Sequence, residues 1–426
     1  MRISQEKIYD SHKDTLETHR NQYQYLAETL SRNNHSVQYL LSKLQKLQIA
    51  IPSWALGAGG TRFGRFSYGG EPKDLCQKIE DVGMLHALTK SAGAISLHIP
   101  WDTPKDYVEI REIANNLGIQ FDAINSNTFQ DQKGNKESYK FGSLSHSRAA
   151  VREQAIAHNK EVIEIGKALG SKSLTLWLAD GASFPGQNNF QNAFLNTQDS
   201  LIEIYKSLPD DWKMLIEYKP YEPNFYSTVI QDWGTSLLLA NACGKKAYTL
   251  VDLGHHLPNC NIEQIVALLQ LKGKLGGFHF NDSSYGDDDL TVGSIKPYAL
   301  FLIFKELVDA METSEEHSEL AWMIDASHNV KDPMEDLIQS LEAIKEAYAK
   351  ALLIDRKALE IAQNENDVVR CQEILHEAYK TDVRPLLAQA RIEQGGALHP
   401  INTYRSLEIR KQLIKSRGTQ SVATGL

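Results

Sequence analysis

One feature constrains this chain more than any other: a short apolar run followed by a longer segment with helical spacing, repeated eight times. The runs are Ile49–Leu56, Ala94–Pro100, Ile119–Asn125, Lys172–Leu178, Lys213–Lys219, Ala247–Leu253, Gly276–Phe280 and Leu320–Asp325. Helical patterns such as Asp74–Gly93, Ser147–Gly170 and Ile262–Gly273 lie between them, each closing on a glycine suited to a left-handed C-cap. The runs are almost continuously apolar, as expected for strands covered on both faces, and parallel strands need a long crossover between them. Eight such units predict an α/β fold, a parallel (β/α)8 TIM barrel, in preference to an open sheet.

The flanks have a different character. Residues 1–48 are polar, with Tyr23, Leu26, Leu30, Val37, Leu40, Leu41, Leu44 and Leu47 near helical spacing, and read as an N-terminal helical extension. The barrel domain then covers 49–345. Residues 346–426 read as a C-terminal helical arm, for which packing against a partner subunit is preferred over folding back on its own barrel. Two segments after strands are long, Gly57–Pro72 and Asn125–His146. The first holds six glycines and carries Arg62, Phe63, Arg65 and Phe66, so it reads as a lid. A phosphate cradle is disfavoured there because the Lys-Ser/Thr that should follow is missing.

Composition removes several function classes. The formal net charge is -9 with no concentrated basic surface, which argues against a nucleic-acid partner. No run of about 18 apolar residues occurs, so no membrane span is expected, and the charged start MRISQEKIYD is unlike a secretory leader. Cys76, Cys243, Cys260 and Cys371 lack metal-type spacing and read as free thiols in a reducing compartment. A cytoplasmic location is expected.

In such a barrel the active site lies at the C-terminal ends of the strands, and that is where polar residues gather here. His98, Trp177, Glu217, Lys219, Asp252, His279 and Asp325 stand at or near the last positions of runs. Strand side chains alternate, so Glu217 and Lys219 face the same way. Alone, that pair reads as a structural ion pair; three other strand-end ligands in its company favour a site. Asp252 and His255, where a strand turns into a loop, can serve two neighbouring cations, while His256 beside them reads as ordinary loop polarity. Asp287 and Asp289 can chelate one ion with Asp288 turned away, although acidic turns are usually only solvated. Asp325 closes an apolar strand, which is costly for a carboxylate unless it is paired or ligated. Mostly oxygen donors with two imidazoles suit magnesium or manganese better than zinc or copper. So much negative charge at one mouth calls for two divalent cations sharing a carboxylate, and for metal-assisted chemistry on a small polyol or sugar.

The spacings Glu217-x-Lys219 and Asp252-x-x-His255, His279 followed eight and ten residues later by Asp287 and Asp289, and Asp325 on the last strand resemble the xylose-isomerase-like barrels. Within them the chain is similar to the bacterial L-rhamnose isomerases of broad sugar specificity, first known from a pseudomonad, from about Ile51 through Pro333. The resemblance implies that Glu217, Asp252, His279 and Asp325 hold a structural ion, while His255, Asp287 and Asp289, with Asp252 shared, hold a catalytic one. Manganese is the expected ion, with cobalt, magnesium and zinc as alternatives. Lys219, Asp325 and His98 are the implied catalytic residues, Lys219 bonding the O1 carbonyl and His98 opening the sugar ring. Trp101 and Trp177, with Lys219 and His255, are the implied sugar contacts. The expected activity interconverts an aldose and a ketose, L-rhamnose and L-rhamnulose first, by a 1,2-hydride shift. Asp252 and His279 depart from the carboxylates of xylose isomerase itself and match the rhamnose branch, which leaves the preferred sugar open. The competing readings are a ketose 3-epimerase, working with paired glutamates around one ion, and a sugar-binding barrel without turnover. A homotetramer is expected, in which an arm or loop of one subunit, with Phe129 as a candidate, covers the neighbour's barrel mouth.

Overall fold

All eight apolar runs form barrel strands: β1 (Ala50–Pro52), β2 (Ala94–Ile99), β3 (Gln120–Ser126), β4 (Ser173–Leu176), β5 (Lys213–Glu217), β6 (Ala247–Asp252), β7 (Leu275–Phe280) and β8 (Ala321–Ile324). The structure, a computed structural model of the 426-residue chain, describes residues 2–56, 66–313, 319–326 and 330–420. The strands pair in parallel around a closed ring, β1 joining both β8 and β2. The alternation of strand side chains then sorts residues into two cores. Met214, Ile216, Val251, Phe278 and Phe280 belong to a large apolar layer beneath the outer helices, whereas Ala123, Leu215 and Leu250 form a small separate cluster. Two residues further along those three strands stand Asn125, Glu217 and Asp252, which are therefore carried on the inner face towards the mouth.

Among the described residues, eight helices cover the barrel, from Leu75–Thr89 after β1 to Pro333–Leu352 after β8. The first and last are capped by aspartates: the Asp74 carboxylate accepts from the Gln77 backbone, and Asp332 accepts from Met334 ahead of a first-turn proline. Gly170 closes its helix in the left-handed conformation, φ 95°. Gly93 does not; the first helix ends earlier, with Lys90 left-handed at φ 54°. Gly93 is instead small because a Cβ would lie 2.5 Å from the Gln48 amide oxygen.

The last barrel helix runs to Leu352, so the boundary expected at residue 345 falls inside it. Among the described residues, the five helices that follow pack on their own chain, one of the two arrangements expected for the arm. Arg384–Glu393 packs against Val37–Lys46 and Leu16–Arg32, with His19 bonded to Gln389 at 3.0 Å and Ser11 to Thr403 at 2.9 Å. The reason is local: Leu386, Leu387, Ile374 and Leu413 make amphipathic faces that the nearby N-terminal and final barrel helices can bury at once. The helix Ile409–Arg417 also ties down the end of the glycine-rich segment, since Arg410 donates to the Gly69 carbonyl and the Gly70 amide to Gly418. Arg62, Phe63 and Arg65 of that segment, and His328 after β8, lie outside the described residues. No described helix is long and apolar enough to cross a membrane.

Candidate active site

Glu217, Asp252 and His279, each the last or next-to-last residue of its strand, bring ligand atoms within 4.8 Å of one another. His279 Nδ1 lies 3.1 Å from Glu217 Oε1, 3.5 Å from Asp325 Oδ2 and 3.7 Å from Asp252 Oδ2. Burial alone would strip the proton from His279, but Glu217, Asp325 and Asp252 outweigh it and push the imidazole up to about 9. Glu217 answers in kind: burial opposes its charge, yet His279 and His255 hold it below the usual carboxylate range. Asp325 goes the other way, pushed up to about 6 by burial and by its carboxylate neighbours, although Trp54 Nε1 donates to its Oδ1 at 3.0 Å.

A second set adjoins the first. The His255 Nδ1 faces the Tyr218 carbonyl at 3.0 Å, which assigns it the proton and leaves Nε2 opposite Asp287 Oδ1 at 3.0 Å. Asp287 Oδ2 in turn takes the Lys219 ammonium at 2.5 Å, and Lys219 also reaches Glu222. The acidic turn is shaped for this. A Cβ on Gly286 would collide with the Tyr221 hydroxyl, Asp287 and Asp289 hold φ near 50°, and Asp288 turns away to accept from the Ser284 and Tyr285 amides. Asp289 lines the same pocket as Asp287. Glu217 is the carboxylate between the sets, 3.1 Å from His279 Nδ1 and 3.2 Å from His255 Nδ1. Asp252, expected to be the shared one, is turned to Gly254 and Asn281 through Oδ1.

Two observations show that these residues fit cations. Asp252 Oδ2 is buried with no hydrogen-bond partner among the described residues, which is expensive for a carboxylate oxygen unless a cation completes it. The donor set is of the same kind: His255 Nε2 and Asp287 Oδ1 face each other at 3.0 Å, an imidazole nitrogen and a carboxylate oxygen of the types that share a divalent cation.

The cavity over these groups measures about 120 Å³. Its opposite wall is aromatic: His98 stacks on Trp101 at 4.3 Å, Phe129 meets His98 at 5.5 Å and Trp177 at 4.8 Å, and Trp54 meets His98 at 5.4 Å. Burial holds His98 neutral, pushed down to about 3. The structure thus gathers His98, Trp101, Trp177, Glu217, Lys219, His255, His279, Asp287, Asp289 and Asp325 around one pocket, with Asp252 just beneath. Phe129, a candidate cover for a neighbour's mouth, stands in the wall of its own chain's pocket against His98 and Trp177. His256 is no loop polarity either, being buried with its Nε2 2.6 Å from the Tyr218 hydroxyl. Trp54, Asn125, Glu222 and Asn281 escaped the sequence reading. Asn125 ends an apolar run as Glu217 does, and the same rule would have found it. Larger cavities of about 560 Å³ near the strand starts and about 890 Å³ between the terminal helices exist, but among the described residues the one close ligand cluster is that at the mouth.

No family model matches the chain. It is 52% identical over 404 residues to a probable sugar isomerase of Mesorhizobium japonicum, covering 95% of this chain and 94% of the relative. It is also 52% identical over 396 residues to a probable sugar isomerase of Rhizobium meliloti, covering 93% and 92%. Among solved structures, an L-ribulose 3-epimerase matches 76% of this chain and 98% of its own at a TM-score of 0.54 and 13% identity. A D-allulose 3-epimerase from Methylomonas in complex with D-allulose matches 71% and 97% at 0.53 and 13%. The structural likenesses show the barrel; the two sequence relatives, similar from end to end, show that the chain belongs to the family of these probable sugar isomerases.

Proposed function

We propose that the chain is an aldose–ketose isomerase dependent on two divalent cations, manganese first, with L-rhamnose to L-rhamnulose as its leading reaction. One observation carries this reading: Lys219 and the set His255, Asp287 and Asp289 stand directly against the cluster of Glu217, Asp252, His279 and Asp325. The names of the two sequence relatives agree with it. The first ion would be held by Glu217, Asp252, His279 and Asp325, the second by His255, Asp287 and Asp289 with Glu217 between. When bound, the ions polarise the sugar oxygens as Lewis acids.

The remaining work falls to the chain. His98 accepts from the anomeric hydroxyl during ring opening, and the rings of Trp101, Phe129 and Trp177 keep water from the reacting carbons. Lys219 donates to O1, where negative charge grows. Hydrogen passes with its electron pair from C2 to C1, while a proton passes from O2 to O1, so that aldose and ketose remain isomers. We assign the protein to the cytoplasm as a homotetramer acting on a small sugar.

A ketose 3-epimerase is the second reading, favoured by the carboxylates Glu217 and Asp325, which face the same His279 Nδ1 at 3.1 and 3.5 Å as a proton-carrying pair would. The manganese-loaded protein incubated in D2O with a panel of aldoses and ketoses separates them. Ketose formed without solvent deuterium supports the hydride shift; deuterium entering C3 of a ketose supports the epimerase. Failure to convert any sugar would remove both.

A further inference from the structure

Behind the aromatic wall lies a buried ion pair that no part of the reaction above uses. Lys78, on the helix after β1, meets Asp102, in the loop after β2, at 2.6 Å, with side chains 2% and 1% exposed. Burying two charges is costly, and apolar residues of similar volume would stabilise the fold as well or better, so stability alone is a weak reason for the pair. What the carboxylate holds is more telling. Oδ1 takes the Lys78 ammonium, while Oδ2 takes the His98 backbone amide at 2.9 Å and the Ser53 hydroxyl. The Asp102 amide donates back to the His98 carbonyl at 2.9 Å, closing residues 98–102 from both sides.

Three rings of the pocket lie on the segments that this one group ties together. His98 is bonded through its backbone, Trp101 sits inside the closed turn and stacks on His98, and Trp54 follows Ser53 and donates to Asp325. Asp102 and Lys78 do not line the pocket themselves. We propose that Asp102, fixed by Lys78, is a positioning residue that holds Trp54, His98 and Trp101 as one rigid wall and so decides which sugars the pocket accepts. The sugar as ligand rests on the isomerase reading; the positioning of the wall does not.

The test uses the manganese-loaded full chain and two probes, L-rhamnose and L-mannose, which differ by one hydroxyl at the far end. Lys78→Met combined with Asp102→Ala removes both charges and strands neither; Ser53→Ala removes only one hydroxyl. Tryptophan fluorescence should show the double variant binding sugar about tenfold more weakly, with an altered preference between the two probes, as expected when a wall shifts by a fraction of an ångström. Its indoles should become more accessible to acrylamide while metal content stays at the wild-type level. Ser53→Ala should move the same readouts by a smaller factor. Affinity within about twofold of wild type and unchanged preference in a folded variant would overturn the proposal. If the double variant does not fold, Ser53→Ala decides by the same criteria. If the wild type binds neither sugar, the isomerase reading fails and acrylamide access alone decides: unchanged indoles overturn the positioning role.

Discussion

Lys219 is 3% exposed and faces two carboxylates, Asp287 and Glu222, with the Trp177 ring 5.5 Å from its ammonium. In the proposed reaction Lys219 acts on charge that develops in the substrate, and Lys219→Met keeps its length while removing its ammonium. We expect kcat to fall well over tenfold with the circular dichroism spectrum unchanged; a loss under about 1.4 kcal/mol would take the role from Lys219. Asp287 and Asp289 allow a separate expectation. Asp287→Asn with Asp289→Asn should leave one of two ions bound per chain and abolish turnover, as counted by metal analysis and product assay. Two ions retained, or none, would contradict the division of ligands given above.

The helix Ile409–Arg417 shows how an element far in sequence supports the mouth. Arg410 forks onto Asp332 at 2.8 and 2.6 Å, and Arg417 meets the two oxygens of Asp81 at 2.9 and 2.7 Å while also donating to the Gly70 carbonyl. Arg417→Met would leave Asp81 buried and unpaired, a loss of about 3–5 kcal/mol in urea unfolding. Burial already pushes Asp81 up to about 6 against the pull of Arg417, and the variant raises it further. A carboxyl whose folded pKa lies above its unfolded one binds more protons when folded, so stability falls as pH rises. The deficit should therefore be larger at pH 8 than at pH 5. Equal deficits would mean that Asp81 finds another partner in the variant.

For the whole molecule, cations that bind only the folded chain must raise its melting temperature. Excess manganese over a chelator should stabilise the protein by about 2.7 kcal/mol at a hundred times the dissociation constant. Scanning calorimetry that shows no difference would leave the mouth without a metal. Assembly is tested by sedimentation velocity: a tetramer is expected, and a fully active monomer would end that expectation.

The eight strands and the helices between them were legible because continuous apolar runs of 4–8 residues, separated by amphipathic segments and turn residues, have few other solutions. Much of the candidate site's layout was legible for the same reason, since strand alternation alone places Glu217 and Lys219 together and marks Asp252, His279 and Asp325 as polar groups at strand ends. Three features needed tertiary structure. That Glu217 and not Asp252 lies between the two imidazoles depends on the rotation of side chains around a closed ring, which spacing does not encode. Phe129 could reach its own His98 and Trp177 or a neighbour's, and only the course of a long loop decides. The terminal helices carry apolar faces that fit any apolar partner; proximity within one chain made that partner the final barrel helix and each other. Sequence determines which surfaces must be covered, because burial of apolar area is a local demand, whereas the choice of what covers them is made by geometry across hundreds of residues.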